Sequence, residues 1–150
     1  MRPTACAAIM ALLPLAATGG ETLVLSDGHV RSGNPRSAAA YLAIENRGAG
    51  DCHLRAVESE LAARVELHRT LDDGGVMKMV PLAEGITIRA GETRHLRQGG
   101  DHVMMMGLHA PVAEGQLVPL SLDFGECGTV ALELPVTPHV TPRGQGAAHH

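Results

Sequence analysis

The sequence predicts an all-β domain, an antiparallel sandwich or barrel. Three observations predict it. Short β-type runs recur along the chain, broken by Gly, Pro, Asn and Asp. Several of them alternate at period two: Val65 and Leu67 against Glu66 and His68, Leu120 and Leu122 against Ser121 and Asp123, and Val130, Leu132 and Leu134 against Ala131 and Glu133. No segment carries a long helical period. Alternation over short segments with frequent turns is what antiparallel sheets with one face on the core require.

The elements follow in order. Residues 1–19 read MRPTACAAIMALLPLAATG. Arg2 precedes an apolar run over about residues 5–15, and small residues follow from Ala16 to Gly20. This is the layout of a secretory signal peptide, with cleavage expected between Ala16 and Gly20. The run is too short to span a bilayer, and no second apolar stretch follows. Cys6 lies at the start of the run, where a lipid-attachment cysteine, which would follow the run, is not expected. Strands are then predicted over residues 22–26, 38–45, 52–57, 64–68, 76–80, 86–88, 93–96, 102–106, 117–124 and 129–134, each bounded by turn residues. Residues 59–63 are read as one turn of helix. The sequence LDDGG, residues 71–75, is a hairpin turn. Residues 20–136 thus form one domain, a size that buries a real core. Beyond it, Pro138, Pro142, Gly144 and Gly146 discourage regular structure, so residues 137–150 are expected as a flexible tail. The closing His149 and His150 read equally as a tag remnant or as a metal-binding tail.

Composition excludes several function classes. Tyr41 and Phe124 are the whole aromatic complement, and there is no Trp, so a base-stacking platform is not expected. The formal charge is −4, from 12 Lys+Arg against 16 Asp+Glu, which offers no basic field to phosphates. Loss of Arg2 on cleavage leaves 11 basic residues against 16 acidic ones, a charge of −5. Cleavage also removes Cys6 and leaves Cys52 and Cys127, both beside turn signals. An exported chain with two cysteines is expected to pair them, the alternative being two buried free thiols.

The methionines carry the chemistry. Of seven, Met1 and Met10 lie in the leader, and the other five, Met77, Met79, Met104, Met105 and Met106, form two tight clusters. Either cluster alone reads as core filling, with His102 at the surface. Together they read differently, because each has a histidine to hand. His102-Val103-Met104 places an imidazole and a thioether on one face of a strand, and Met77-Lys78-Met79 does the same for two thioethers. A hairpin through LDDGG brings His68 near Met77 and Met79. Uncharged soft sulfur with borderline imidazole prefers Cu(I) to Mg, Ca or Mn, which want oxygen, while zinc more often recruits thiolates or carboxylates. In an oxidising compartment thiolates are lost to disulfides and thioethers are not.

These residues resemble the signature of the periplasmic copper chaperones of the PCu(A)C family, His-x10-Met followed after about 22 residues by His-x-Met. Ten residues separate His68 from Met79, 22 separate Met79 from His102, and His102-Val103-Met104 completes the pattern. The framework VELH, GVMKM, the turn over residues 86–92, GGDHVMMMGL and the run over residues 112–124 also match, so the resemblance spans about residues 23–136. It implies a cupredoxin-like Greek-key β-barrel or sandwich binding Cu(I). It further implies delivery to the CuA centre of cytochrome c oxidase, often with a Sco-type thiol protein. There are departures. The segment over residues 80–85 is slightly long, Asp101 and His29 stand where aromatic residues are usual, and Arg69 replaces a methionine found in some relatives.

Four ligands are therefore expected: nitrogens from His68 and His102, sulfurs from Met79 and Met104. Met77 is an entry contact on the face of Met79, Met106 shares the face of Met104, and Met105 points into the opposite layer. Lys78 faces solvent. Glu66 shares the face of His68 and is read as exposed, with orienting the imidazole as the second reading. A second ion, Cu(II), is expected on the tail at His139, His149 and His150. A monomer in the periplasm is expected, with no membrane span after processing, no nucleic-acid partner and no catalysis. The rivals are an exported copper-storage or resistance protein and a metal-free structural sandwich. Blue copper is argued against, because Cys127 has no histidine within ten residues and Cys52 has only His53.

Overall fold

The computed structural model describes residues 22–138. The expected signal peptide and nearly all of the expected tail, including His139, His149 and His150, lie outside the described residues. Among those described, no helix is long and apolar enough to cross a membrane.

Among the described residues, eleven strands form three sheets, the antiparallel all-β architecture that the alternation predicts. The largest sheet runs β1 (Leu23–Asn34), β2 (Ser37–Asn46), β9 (Asp101–Leu108), β5 (Ala62–Asp73) and β6 (Val76–Pro81), and β8 (Thr93–Leu96) also pairs with β2. A second sheet orders β11 (Thr129–Pro135), β10 (Leu117–Asp123) and β4 (Ala56–Glu58). The smallest pairs β3 (Cys52–Leu54) with β7 (Ile86–Ile88). The non-consecutive neighbours β2–β9 and β9–β5 are long crossing connections of the Greek-key kind.

Period two decides which face is core. On β2 the even residues Ala38, Ala40, Leu42 and Ile44 join the buried cluster, as do Val103 and Met105 on β9. Val118, Leu120 and Leu122 on β10 and Leu134 on β11 meet them from the second sheet, and Phe124 is 1% exposed in the same cluster. Met105 is fully buried, as its place in the alternation requires. The opposite face of the large sheet carries His68, His102 and Met104.

Cys52 and Cys127 are bonded to each other, with Cα atoms 5.8 Å apart. The bond ties β3 to the 3-10 turn at Gly125–Cys127.

Four expectations need correction. The first strand does not stop at residue 26; it continues to Asn34 through a bulge between Ser26 and His29. The run over residues 52–57 is two strands in different sheets, β3 and β4. Arg55 interrupts it by sending its backbone N–H to the Asp123 carbonyl at 3.0 Å. Residues 59–63 form no helical turn: Ser59 Oγ accepts from the Leu61 N–H at 3.3 Å, and β5 has begun by Ala62. LDDGG is mostly strand. Only Gly74 and Gly75 turn, at φ 62° and 90°, the left-handed pair that a two-residue hairpin demands.

Candidate metal centre

His68 and His102 stand directly opposite each other on β5 and β9. Their rings meet edge to face with centroids 6.0 Å apart. His102 is 3% exposed. The His68 side chain retains 12% of its exposure. Both are imidazoles largely withdrawn from water, and each has one nitrogen accounted for.

On His102, Nδ1 lies 3.0 Å from the Gly100 carbonyl. A carbonyl only accepts, so Nδ1 carries the proton and Nε2 keeps its lone pair. On His68 the roles are reversed. Nε2 lies 2.9 Å from a Glu66 carboxylate oxygen and donates to it, while Nδ1 is buried with no hydrogen-bond partner. A buried nitrogen lone pair without a donor is costly, and a metal ion is one group that satisfies it. Glu66 is therefore not the exposed residue expected. It is half-buried, anchored by Arg64 at 3.0 Å, and its carboxyl is held below the usual range first by the hydrogen bond from His68.

The thioethers come from either side. Met104 lies opposite Glu66 on β5 and Ala39 on β2, and is half-buried. Met79 lies opposite Thr70 on β5, two residues along from His68, whose own partner is Pro81. Met79 is 58% exposed and Met77 59%. Met77 is one further step toward the hairpin tip, opposite Asp72. Lys78 faces the other way and binds Asp73 at 2.8 Å.

A cavity of about 210 Å³ is walled by His102, Met104, Met79, Thr70 and Tyr41. It brings three of the four expected ligands together; His68 stands beside it, against the ring of His102. Among the described residues, no three His, Cys, Asp or Glu side chains gather for a metal, so any site on this face must use sulfur. Soft sulfur with imidazole suits Cu(I).

Sequence reasoning missed several residues of this face. The Tyr41 ring lies 6.2 Å from that of His102, and its phenol pKa is pushed up by burial against the opposing charge of Arg31. Arg31 reaches Gln98 at 2.6 Å, and both line the cavity. Only the register of β1, β2 and β9 places them there; their spacing in sequence carries no signal. Asp101, which stands where an aromatic residue is usual, faces the other side of the sheet from His102 and pairs with Arg69 at 2.6 Å and Arg94 at 3.1 Å.

Comparison with known proteins gives the family and the fold. Residues 23–136 match the family described as "Putative lipoprotein LpqE-like". A relative in Leifsonia xyli subsp. xyli (strain CTCB07), "Putative lipoprotein Lxx21020", is 33% identical over 112 residues, 75% of this chain and 68% of that one. Among solved structures, the Cu(I) form of DR1885 from Deinococcus radiodurans superposes with TM-score 0.60 and 29% identity, covering 81% of this chain and 84% of that one. The apo form of the same protein gives 0.61 and 26%, covering 93% and 95%. The copper-bound PCuAC domain of PmoF2 gives 0.64 at 18% identity, covering 81% and 96%, a likeness of fold. The fold is the cupredoxin-like sandwich of PCuAC domains.

Proposed function

The chain belongs to the LpqE-like family, of the PCu(A)C type, and from that premise we propose that it is an exported copper carrier. It binds Cu(I) through His68, Met79, His102 and Met104. The observation that carries this reading is the pair of imidazoles on β5 and β9, with the buried Nδ1 of His68 lacking a partner beside a cavity walled by Met79 and Met104. Two neutral nitrogens and two neutral sulfurs match a soft monovalent cargo without adding charge to be desolvated. His102 and Met104 hold the ion from the rigid centre of the sheet. Met79, exposed on the β5–β6 hairpin, is the ligand that lets go first and hands the ion to a recipient.

That recipient is the CuA subunit of cytochrome c oxidase, reached with a Sco-type thiol protein. The protein is a carrier rather than an enzyme and acts as a monomer in the periplasm. Residues 1–19 direct export, residues 20–136 are the copper domain, and the histidines of residues 137–150 take a second ion, Cu(II). Relatives named as lipoproteins support export. An exported copper-storage role is the second reading, favoured by the additional thioethers Met77 and Met106 on the same face of the sheet.

A Cu(I) competition titration tests the site. His102→Ala with Met104→Ala should abolish tight Cu(I) binding while the wild type retains one equivalent. Equal, weak binding by both would overturn the assignment.

A further inference from the structure

Among the described residues that line the cavity of His102, Met104 and Met79, Arg31 is the one that carries a formal charge, and no carboxylate lines it. Strand register puts Arg31 there. It opposes Ala39 on β2, Ala39 opposes Met104 on β9, and Met104 opposes Glu66 on β5. Directly opposed residues of antiparallel strands point to one face, so these four form a row across the sheet. Arg31 and Glu66 thus flank Met104 from its two sides with opposite charges. The charge of Glu66 is already engaged, by the hydrogen bond from His68 at 2.9 Å and by Arg64 at 3.0 Å. Between Arg31 and Met104 the row carries only the methyl group of Ala39.

The guanidinium is tethered. Its Nη1 donates to Gln98 Oε1 at 2.6 Å. Gln98 belongs to the turn that joins β8 to β9. Two backbone hydrogen bonds close that turn, from the Gly100 N–H to the Arg97 carbonyl at 3.0 Å and from the Arg97 N–H to the Asp101 carbonyl at 2.9 Å. The same turn presents the Gly100 carbonyl to His102 Nδ1 at 3.0 Å. One connection therefore orients the imidazole and anchors the cation beside it. The charge of Arg31 is also felt at Tyr41, where burial raises the phenol pKa and the guanidinium lowers it. The Tyr41 ring lies 6.2 Å from that of His102.

We propose that Arg31 sets the charge selectivity of this cavity, admitting a monocation and disfavouring dications, Cu(II) first among them. The proposal rests on the Cu(I) reading of the site and deepens it. Two imidazoles and two thioethers are all neutral, so the ligand set selects by softness and leaves the charge of the ion uncompensated. A fixed unit charge repels a dication twice as strongly as a monocation at the same point, because Coulomb energy follows the product of the charges. Arg31 is half-buried, where salt screens a charge less than at the open surface. Copper held here resists losing an electron, because oxidation doubles the repulsion. In an oxidising compartment, softness and charge then act in the same direction.

The test uses the full chain with His139, His149 and His150 changed to Gln, which removes the imidazoles of residues 137–150. This protein and its Arg31→Gln and Arg31→Lys variants are compared. Affinities for Cu(I) and Cu(II) are measured by competition with chelators. The potential of the copper, loaded as one equivalent of Cu(I), is read by voltammetry, the electrode taking the electron. Arg31→Gln should tighten Cu(I) by about tenfold and Cu(II) by the square of that, about a hundredfold. The ratio of the two affinities then shifts about tenfold, which lowers the potential of this one-electron couple by about 59 mV. Arg31→Lys keeps the charge and should keep the parent potential. Added salt should lower the parent potential toward that of Arg31→Gln. Circular dichroism should be the same for all three proteins. A potential unmoved by Arg31→Gln, or moved equally by Arg31→Lys, with Cu(I) still tightly bound, would overturn the proposal and leave the four-ligand site standing. A parent chain that binds no Cu(I) would overturn the site itself and the proposal with it.

Discussion

Glu66 decides which nitrogen of His68 is free. Its carboxylate accepts a hydrogen bond from the Nε2–H at 2.9 Å, so the lone pair sits on Nδ1, buried and unpartnered. In the proposed site this fixes both the tautomer and the orientation of the ring. Glu66→Gln removes the negative acceptor and keeps the size. We expect Cu(I) affinity to fall by about tenfold, read by competition with a colorimetric Cu(I) chelator, with little change in thermal unfolding. Unchanged affinity would remove Glu66 from the site. Sequence placed Glu66 on the right face but could not show its hydrogen bond, because alternation gives direction and no distance.

At the scale of elements, Asp101 joins three strands. It sits on β9, is 9% exposed, and pairs with Arg69 on β5 and Arg94 on β8. The hydrogen bond from Arg69 is the largest cause holding its carboxyl below the usual 3.8, against a smaller upward push from burial. A depressed native value means that the unfolded chain takes up the proton first as pH falls. The pairing is therefore fully present above the usual carboxylate range and is lost as pH drops from there through the lower native value. Asp101→Asn should be less stable than wild type at neutral pH and lose less on acidification, as denaturant midpoints across that range would show. Parallel pH curves for the two proteins would refute this role. Of the strand pattern, the short alternating runs were legible, including β7, β8 and β11. The bulge in β1 and the split at Arg55 were not, since both are set by partners distant in sequence, Tyr41 and Asp123.

For the whole molecule the Cys52–Cys127 bond is the longest covalent constraint, closing a sequence separation of 75 residues. On the chain-entropy account, a loop of that length lowers the entropy of the unfolded state by an amount worth about 4 kcal/mol. Cys52→Ser with Cys127→Ser should lose stability of that order in urea denaturation, and reducing the wild-type protein should reproduce the loss. A loss below about 1 kcal/mol would mean that the reduced chain holds its unfolded state compact by other contacts. The bond was an expectation from cysteine count and turn context, with two free thiols as its alternative; the fold brings the two residues together.

Period, spacing and donor type are local properties, and sequence alone carries them. From them come the antiparallel sheets, the buried side of each strand, and a His/Met set with the chemistry of a soft cation. Register is not local. Whether His68 opposes His102 and which way Asp101 points depend on pairings between strands far apart in the chain. One inserted residue reverses such an orientation, because side chains alternate with a period of two. That is why the His/Met spacing was readable in the sequence, while the cavity that His102, Met104 and Met79 share with Tyr41, Arg31 and Gln98 became visible only in the folded sheet.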